Sequence, residues 1–135
     1  MTTHDTADKR TSAQKIGDYG ESCAVEYLIA QGYQIVAKKY HSRYGEIDII
    51  ARNDEYIIFV EVKTRNQNAC AQPAVWVDKR KQKKLITTAY RYLQEYDTEL
   101  QPRFDVIEVT YITHSSYPPA INHIENAFIE ENNYR

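Results

Sequence analysis

Two apolar runs of this chain carry charges where a strand tolerates them least: Asp48 inside Glu46-Ile47-Asp48-Ile49-Ile50, and Glu61 and Lys63 inside Phe59-Val60-Glu61-Val62-Lys63-Thr64. A buried, unpaired charge is costly, and strands favour β-branched and aromatic residues instead. Side chains alternate across a strand, so Glu61 and Lys63 project from one face while Val60 and Val62 project from the other. If the two runs form a hairpin, pairing Arg52 with Tyr56 sets Asp48 opposite Val60, whereas pairing Arg52 with Ile57 sets it opposite Glu61 and sets Glu46 opposite Lys63. The second register is preferred, because it gathers the charges on one face and leaves Ile47, Ile49, Val60 and Val62 on the other. Opposed carboxylates repel unless a cation lies between them. Hard oxygen ligands of this kind suit Mg²⁺ or Mn²⁺, which take one or two carboxylates, keep several waters and accept phosphate oxygens. The same residues also permit a plainer arrangement, in which Lys63 and nearby Arg65 neutralise Glu61 and Asp48 on a solvated sheet face.

The surrounding elements must position these side chains. Ile16, Gly20, Cys23, Ala24, Tyr27 and Leu28 follow a helical period from about Ser12, with Gly32 as the stop. Strands are expected at Tyr33 to Tyr40, Tyr44 to Arg52 and Tyr56 to Thr64, the last two joined by the turn residues Asn53, Asp54 and Glu55 into an antiparallel hairpin. Residues 65–77 read as a loop containing Pro73. Asp78 is a fitting N-cap for a helix to about Tyr96 with a buried stripe of Leu85, Ala89, Tyr92 and Leu93. Arg103 to Ile112 is a last strand; beyond Pro118-Pro119, the tail holds at most a short helix around Ile124 to Ile129. The order α-β-β-β-α-β, with a helix crossing between the third and fourth strands, predicts an α/β fold with a mixed sheet flanked by helices.

A net charge of −2 over 135 residues conceals a local asymmetry. Lys79, Arg80, Lys81, Lys83, Lys84 and Arg91 place six positive charges within 13 residues with no acid among them, at the start of the second helix. Basic side chains there, together with backbone N–H groups and the positive end of the helix dipole, suit phosphate oxygens. The tail is acidic, with Glu108, Glu125, Glu130 and Glu131 against Arg135 alone.

Composition narrows the rest. The length fits one domain over residues 12–135, preceded by a polar, mobile segment over residues 1–11. A mean hydropathy of −0.66 and the lack of any long apolar run exclude a spanning helix, and the first residues have no apolar signal core, so the expected location is the cytoplasm. Cys23 and Cys70 read as two free thiols. His4, His41, His114 and His123 show no ligand spacing and suggest no zinc site. Most of the 12 tyrosines are expected to pack the core with their hydroxyls at the surface.

The segments GEIDIIA at 45–51, FVEVKTR at 59–65, KQKKL at 81–85 and RFDVIEV at 103–109 resemble the YraN family of uncharacterised bacterial proteins. That family is similar to archaeal Holliday-junction resolvases, within the PD-(D/E)XK nuclease superfamily. The resemblance runs from about Ile16 to Ile129 and implies a restriction-endonuclease-like core. By that resemblance Asp48 and Glu61 bind the metal, assisted by the carbonyl of Val62, and Lys63 is the catalytic lysine. Gly20-Glu21 matches the position at which resolvases bring a first-helix glutamate to the site, which makes Glu21 a further metal ligand. Two departures stand out: Ile47 occupies the proline position of the superfamily name, and the loop around Val75, Trp76 and Lys79 differs from the usual family pattern.

The implied activity is metal-dependent hydrolysis of phosphodiester bonds in DNA, in branched or flapped structures. Arg65, Arg80, Lys81 and Lys84 are the expected nucleic-acid contacts. Two symmetric cuts in a junction need two active sites, which favours a C₂ homodimer. An adaptor that keeps the nuclease fold and binds nucleic acid without cutting it is the alternative, and a small interaction domain using the acidic tail is a third reading.

Overall fold

In the computed structural model, which describes residues 7–68 and 77–129, helix α1 (Ser12–Ala30) starts at a capping box. The Thr11 hydroxyl accepts from the Gln14 N–H, and the Gln14 side chain accepts from the Thr11 N–H, satisfying donors that the first turn leaves without helical partners. The helix stops where Gly32 takes a φ of 95°, a left-handed conformation that glycine adopts without a Cβ clash. Along its length Gly20, Ala24 and Leu28 recur at i+4 and are buried. Helix α2 (Lys79–Glu95) starts at Asp78, whose side chain accepts from the Lys81 N–H at 2.8 Å. It buries Leu85, Thr88, Ala89 and Tyr92, while Leu93 is only partly covered.

Strands β1 (Gln34–Ser42), β2 (Gly45–Arg52), β3 (Tyr56–Asn66), β4 (Gln101–Tyr111) and β5 (Ala120–Phe128) form one sheet in the order β1-β2-β3-β4-β5. All neighbours are antiparallel except β3 and β4, the pair that α2 joins as a crossover. The β2–β3 turn is an Asx turn, in which Asn53 Oδ1 accepts from the N–H groups of Glu55 and Tyr56. Helix α1 covers one face of the sheet, packing Ala24 and Leu28 on Ile49, Ile58, Val60 and Ile107. On the opposite face α2 packs Leu85, Ala89 and Tyr92 on Ile47, Ile50 and Phe59. Full burial of each such aliphatic side chain is worth about 1.5–3 kcal/mol, so both helices are held mainly by their apolar stripes. The architecture is the expected α/β, restriction-endonuclease-like core.

The tail departs from expectation: residues 120–128 form strand β5, not a short helix. Ile124 and Phe128 are four residues apart, a helical spacing, yet they pair with Val106 and Phe104, which are two apart. The extra residues form a bulge in which Asn126 is left-handed, with φ 52°, and donates its N–H to Asp105 Oδ1. The strand also covers the edge that β4 would otherwise expose.

Under the bulge lies a buried polar network that the sequence did not announce. Asp105 is fully buried and accepts from Arg103 Nε at 2.9 Å and from Arg103 Nη2 at 2.8 Å. His123 Nε2 lies 2.7 Å from Asp105 Oδ2, and its Nδ1 lies 3.0 Å from the Tyr27 hydroxyl. Arg103 also donates to the Tyr33 hydroxyl and lies over the Tyr56 ring. Burial works against the Asp105 charge, but hydrogen bonds from His123, Arg103 and the Asn126 N–H outweigh it and hold the carboxyl below its usual range. The network ties α1, β4 and β5 together.

The tyrosines divide instead of mostly filling the core: Tyr33 and Tyr92 are buried, whereas Tyr19, Tyr44, Tyr90, Tyr96 and Tyr117 are exposed. His41 is a surface histidine, with its side chain 68% exposed. Cys23 is a free thiol; Cys70, Trp76, His4 and the last acidic residues lie outside the described residues, as does most of the expected 65–77 loop and the first half of the amino-terminal segment. Among the described residues no helix is long and apolar enough to cross a membrane.

Candidate active site

The site forms where β2 and β3 part. Their ladder pairs Arg52 with Ile57, Ala51 with Ile58, Ile50 with Phe59 and Ile49 with Val60, and ends there. This is the preferred register, and its next step brings Asp48 beside Glu61. In place of a ladder bond, the Val62 N–H donates to Asp48 Oδ2 at 2.8 Å. On its other side β2 pairs Ile49 with Lys38 and Ile47 with Tyr40, passing over the Lys39–Asp48 position, where Lys39 is left-handed with φ 52°.

The irregularity at Asp48 breaks the alternation of β2. Ile47 packs with the α2-side cluster, whereas Ile49 packs with the α1-side cluster, so the expectation that both share a face with Val60 and Val62 is corrected. Nor does Glu46 meet Lys63; its carboxylate lies 3.2 Å from His41 Nε2 on β1. A strict period of two assumes an unbroken pleat, and the parting strands remove that condition.

The charges are distributed unevenly. Glu61 is buried, with 6% of its surface exposed, and its Oε2 lies 3.6 Å from Lys63 Nζ and 3.4 Å from Lys81 Nζ. Asp48 has no such ammonium partner among the described residues. Burial, followed by the neighbouring carboxylates of Glu61 and Glu21, pushes its carboxyl up to about 7; the Val62 N–H works in the other direction. Lys63 therefore meets Glu61 on its own strand, and Lys81 reaches the same carboxylate from the first turn of α2.

Glu21 comes to the site because α1 lies close to β3. At Gly20 a Cβ atom would sit 1.7 Å from the Thr64 hydroxyl oxygen, so the helix can approach only with glycine there. The Glu21 carboxylate is held by Lys39 Nζ at 2.9 Å, an ammonium also shared with Asp18. Glu21, Asp48, Glu61, Val62, Thr64 and Arg65 all line one open cavity of about 600 Å³, with Gly17 and Tyr111 among its other walls. Of the expected nucleic-acid contacts, Arg65 is on this cavity and Lys81 reaches it through Glu61. Arg80 and Lys84 are elsewhere, in a hollow on the outer face of α2 with Arg43, Tyr44, Lys83 and Thr87. Arg43 and Lys83 were not among the expected contacts; Arg43 lies in a separate polar run, and only the fold brings that run to α2.

Among the described residues no three Asp, Glu, His or Cys side chains converge as a ready-made chelate. The residues lining the cavity suit a hard divalent cation that keeps most of its waters: the Asp48 and Glu61 carboxylates, the backbone carbonyl of Val62, and Glu21 once it leaves Lys39. The donor set is the fit test: burial, and then the carboxylates of Glu61 and Glu21, raise the Asp48 carboxyl, and a cation held among these oxygens would offset that cost of ionisation.

A mixed sheet between two helices, with acids and a lysine gathered where its second and third strands part, defines a restriction-endonuclease-like domain. The chain belongs to the uncharacterised protein family UPF0102, the YraN family, whose model matches residues 20–109. It is 39% identical over 121 residues to a UPF0102 protein of Caldanaerobacter subterraneus subsp. tengcongensis, covering 89% of this chain and 99% of that one. With a UPF0102 protein of Clostridioides difficile it shares 45% identity over 113 residues, covering 83% and 95%. An Acinetobacter baumannii UPF0102 protein is 45% identical over 97 residues, covering 70% of this chain and 73% of its own.

Proposed function

We propose that this protein is a Mg²⁺- or Mn²⁺-dependent nuclease that hydrolyses phosphodiester bonds in DNA, with branched or flapped structures as its substrates. The observation that carries the reading is the Asp48–Glu61 pair at the parting of β2 and β3, pinned by the Val62 N–H and approached by Lys63. Asp48, Glu61, the Val62 carbonyl and Glu21 would hold the metal. When bound, the metal supplies a polarised phosphate and a water of lowered pKa. Lys63, half-buried beside Glu61, orients that water or stabilises charge developing on the phosphorane oxygens. Arg65 on the cavity rim and Lys81 at the start of α2 position backbone phosphates without reading sequence. On a junction with two symmetric cuts, the protein acts as a homodimer.

The test is a screen of junction, flap, nicked and linear DNA, and of RNA, with each metal. Lys63→Ala is expected to abolish cleavage while binding is largely retained; full activity in that variant refutes the assignment.

One observation favours a second reading, an adaptor that binds nucleic acid without cutting it. Glu61 already faces two ammonium groups, and Glu21 faces Lys39, so two of the three acids are neutralised by the chain itself. Specific binding with no cleavage of any substrate in either metal would favour that reading.

A further inference from the structure

The basic face of α2 extends well beyond the candidate site. Arg80, Lys83, Lys84 and Thr87 form one wall of a hollow of about 450 Å³, and Arg43 and Tyr44, from the β1–β2 turn, form the other. Arg43 also lines a second hollow of about 510 Å³, with Tyr40, His41 and Arg91. Arg43 lines both hollows, which therefore lie side by side along the groove between the turn and the helix. Arg43, Arg80, Lys83, Lys84 and Arg91 are all exposed. None of the five has a carboxylate within ion-pair distance among the described residues. Among the described residues lining the groove the one acid is Glu95, at its far end, where it accepts from the Tyr40 hydroxyl.

The dimensions suit a polyanion with regularly spaced charges. From Arg80 to Arg91 the helix rises roughly 16 Å at about 1.5 Å per residue. Phosphates of one duplex strand rise about 3.4 Å along the axis and stand farther apart along the strand itself, so the row is long enough to meet a few successive ones. Lys81, next to Arg80 in the first turn of α2, reaches Glu61 at 3.4 Å, so the basic row from Arg80 to Arg91 runs away from the end of α2 that meets the carboxylates.

Its aromatic residues argue against splayed bases. The Arg43 guanidinium lies over the Tyr44 ring, 5.0 Å from its centroid, and the Tyr40 ring meets Tyr92 edge-on at 5.2 Å. Single-strand binders usually combine a basic groove with free aromatic faces for stacking. Here the cations are present, while the Tyr40 ring and one face of Tyr44 are already engaged within the protein. A concave groove also suits a rod better than the plane of an anionic membrane.

We infer that the groove between the β1–β2 turn and α2 holds the phosphate backbone of a duplex arm extending to one side of the candidate site, with Arg43, Lys83 and Arg91 as contacts. The inference rests on the proposed nucleic-acid function for its direction, and it makes duplex next to the cut part of the substrate.

The experiment measures binding of a short labelled duplex and of its single strand across a salt series. The Arg43→Ala, Lys83→Ala, Arg91→Ala triple variant is expected to flatten the log K against log salt slope by two to three units, at about 0.9 for each phosphate no longer neutralised. Arg52→Ala, a cation at the far end of β2, leaves the slope unchanged. If the triple variant folds poorly, each single variant lowers the slope by about one unit. An unchanged slope, equal affinity for single strand and duplex, or binding to phosphatidylserine vesicles but not to DNA overturns the inference. A flattened slope with no cleavage in either metal leaves the groove standing and removes the nuclease; cleavage with an unchanged slope does the reverse.

Discussion

Gly20 on α1 lies so close to Thr64 on β3 that a methyl group in place of its hydrogen would meet the threonine hydroxyl oxygen at 1.7 Å. The contact sets the distance between helix and sheet, and the next residue is Glu21. Gly20→Ala is therefore expected to destabilise the fold by about 1–3 kcal/mol, the usual cost of overpacking, and to move Glu21 away from Asp48. Adding Thr64→Ala removes the nearest atom but leaves the Thr64 Cβ at 2.9 Å, so the double variant should recover only part of the loss. Urea unfolding of both variants checks this; an unchanged midpoint for Gly20→Ala would show that the helix has room to shift.

The Asp105 network makes a separate prediction. Asp105→Ala leaves Arg103 buried without its carboxylate, a change that costs about 3–5 kcal/mol in comparable sites. Because the folded Asp105 carboxyl lies below its ordinary value of 3.8, its contribution is fully present above that pH and is lost as pH falls through the folded value. Wild type and variant should therefore differ most at neutral pH and converge in acid. A constant difference down to strongly acidic pH would contradict this account.

Much of the fold was legible in the sequence because local chemistry agreed with the final contacts. Asp78 caps α2, Gly32 stops α1, Asn53 makes the β2–β3 turn, and the hairpin register followed from the placement of Asp48 and Glu61. What could not be read came from long-range effects. Strand β5 is stabilised by the free edge of β4, and its bulge gives Ile124 and Phe128 a helix-like spacing. The break at Asp48 depends on β2 and β3 parting, which no periodicity within β2 announces. Arg43 joins α2 only through the fold, and the partners of Asp105 lie as far off in sequence as Tyr27 and Asn126, bound to it through His123 or directly.

Asp48 titrates in the opposite sense from Asp105. Its folded carboxyl lies at about 7 against an ordinary 3.8, so it contributes stability below 3.8 that is lost as pH rises through about 7. In metal-free protein Asp48→Asn should consequently raise stability at pH 8 relative to wild type and change little at acidic pH. Thermal melts across that range are the check, and a variant less stable at pH 8 would show that the ionised carboxylate is already compensated.

At the proposed metal site, the cation would have to compete with Lys39 for Glu21. Lys39→Asn, which keeps a residue tolerant of the left-handed backbone at φ 52°, should tighten Mn²⁺ binding severalfold, while Glu21→Ala should weaken it. Calorimetric titration distinguishes these outcomes from a bystander Glu21, for which neither variant would alter the affinity.

The measurement that bears most directly on the proposed metal site is a Mn²⁺ titration of isotopically labelled protein, followed by paramagnetic broadening of amide NMR signals. The account predicts early, localised loss of signals around Glu21, Asp48 and residues 61–63, absent in Asp48→Ala. Diffuse broadening over an intact fold, identical in wild type and Asp48→Ala, would contradict it.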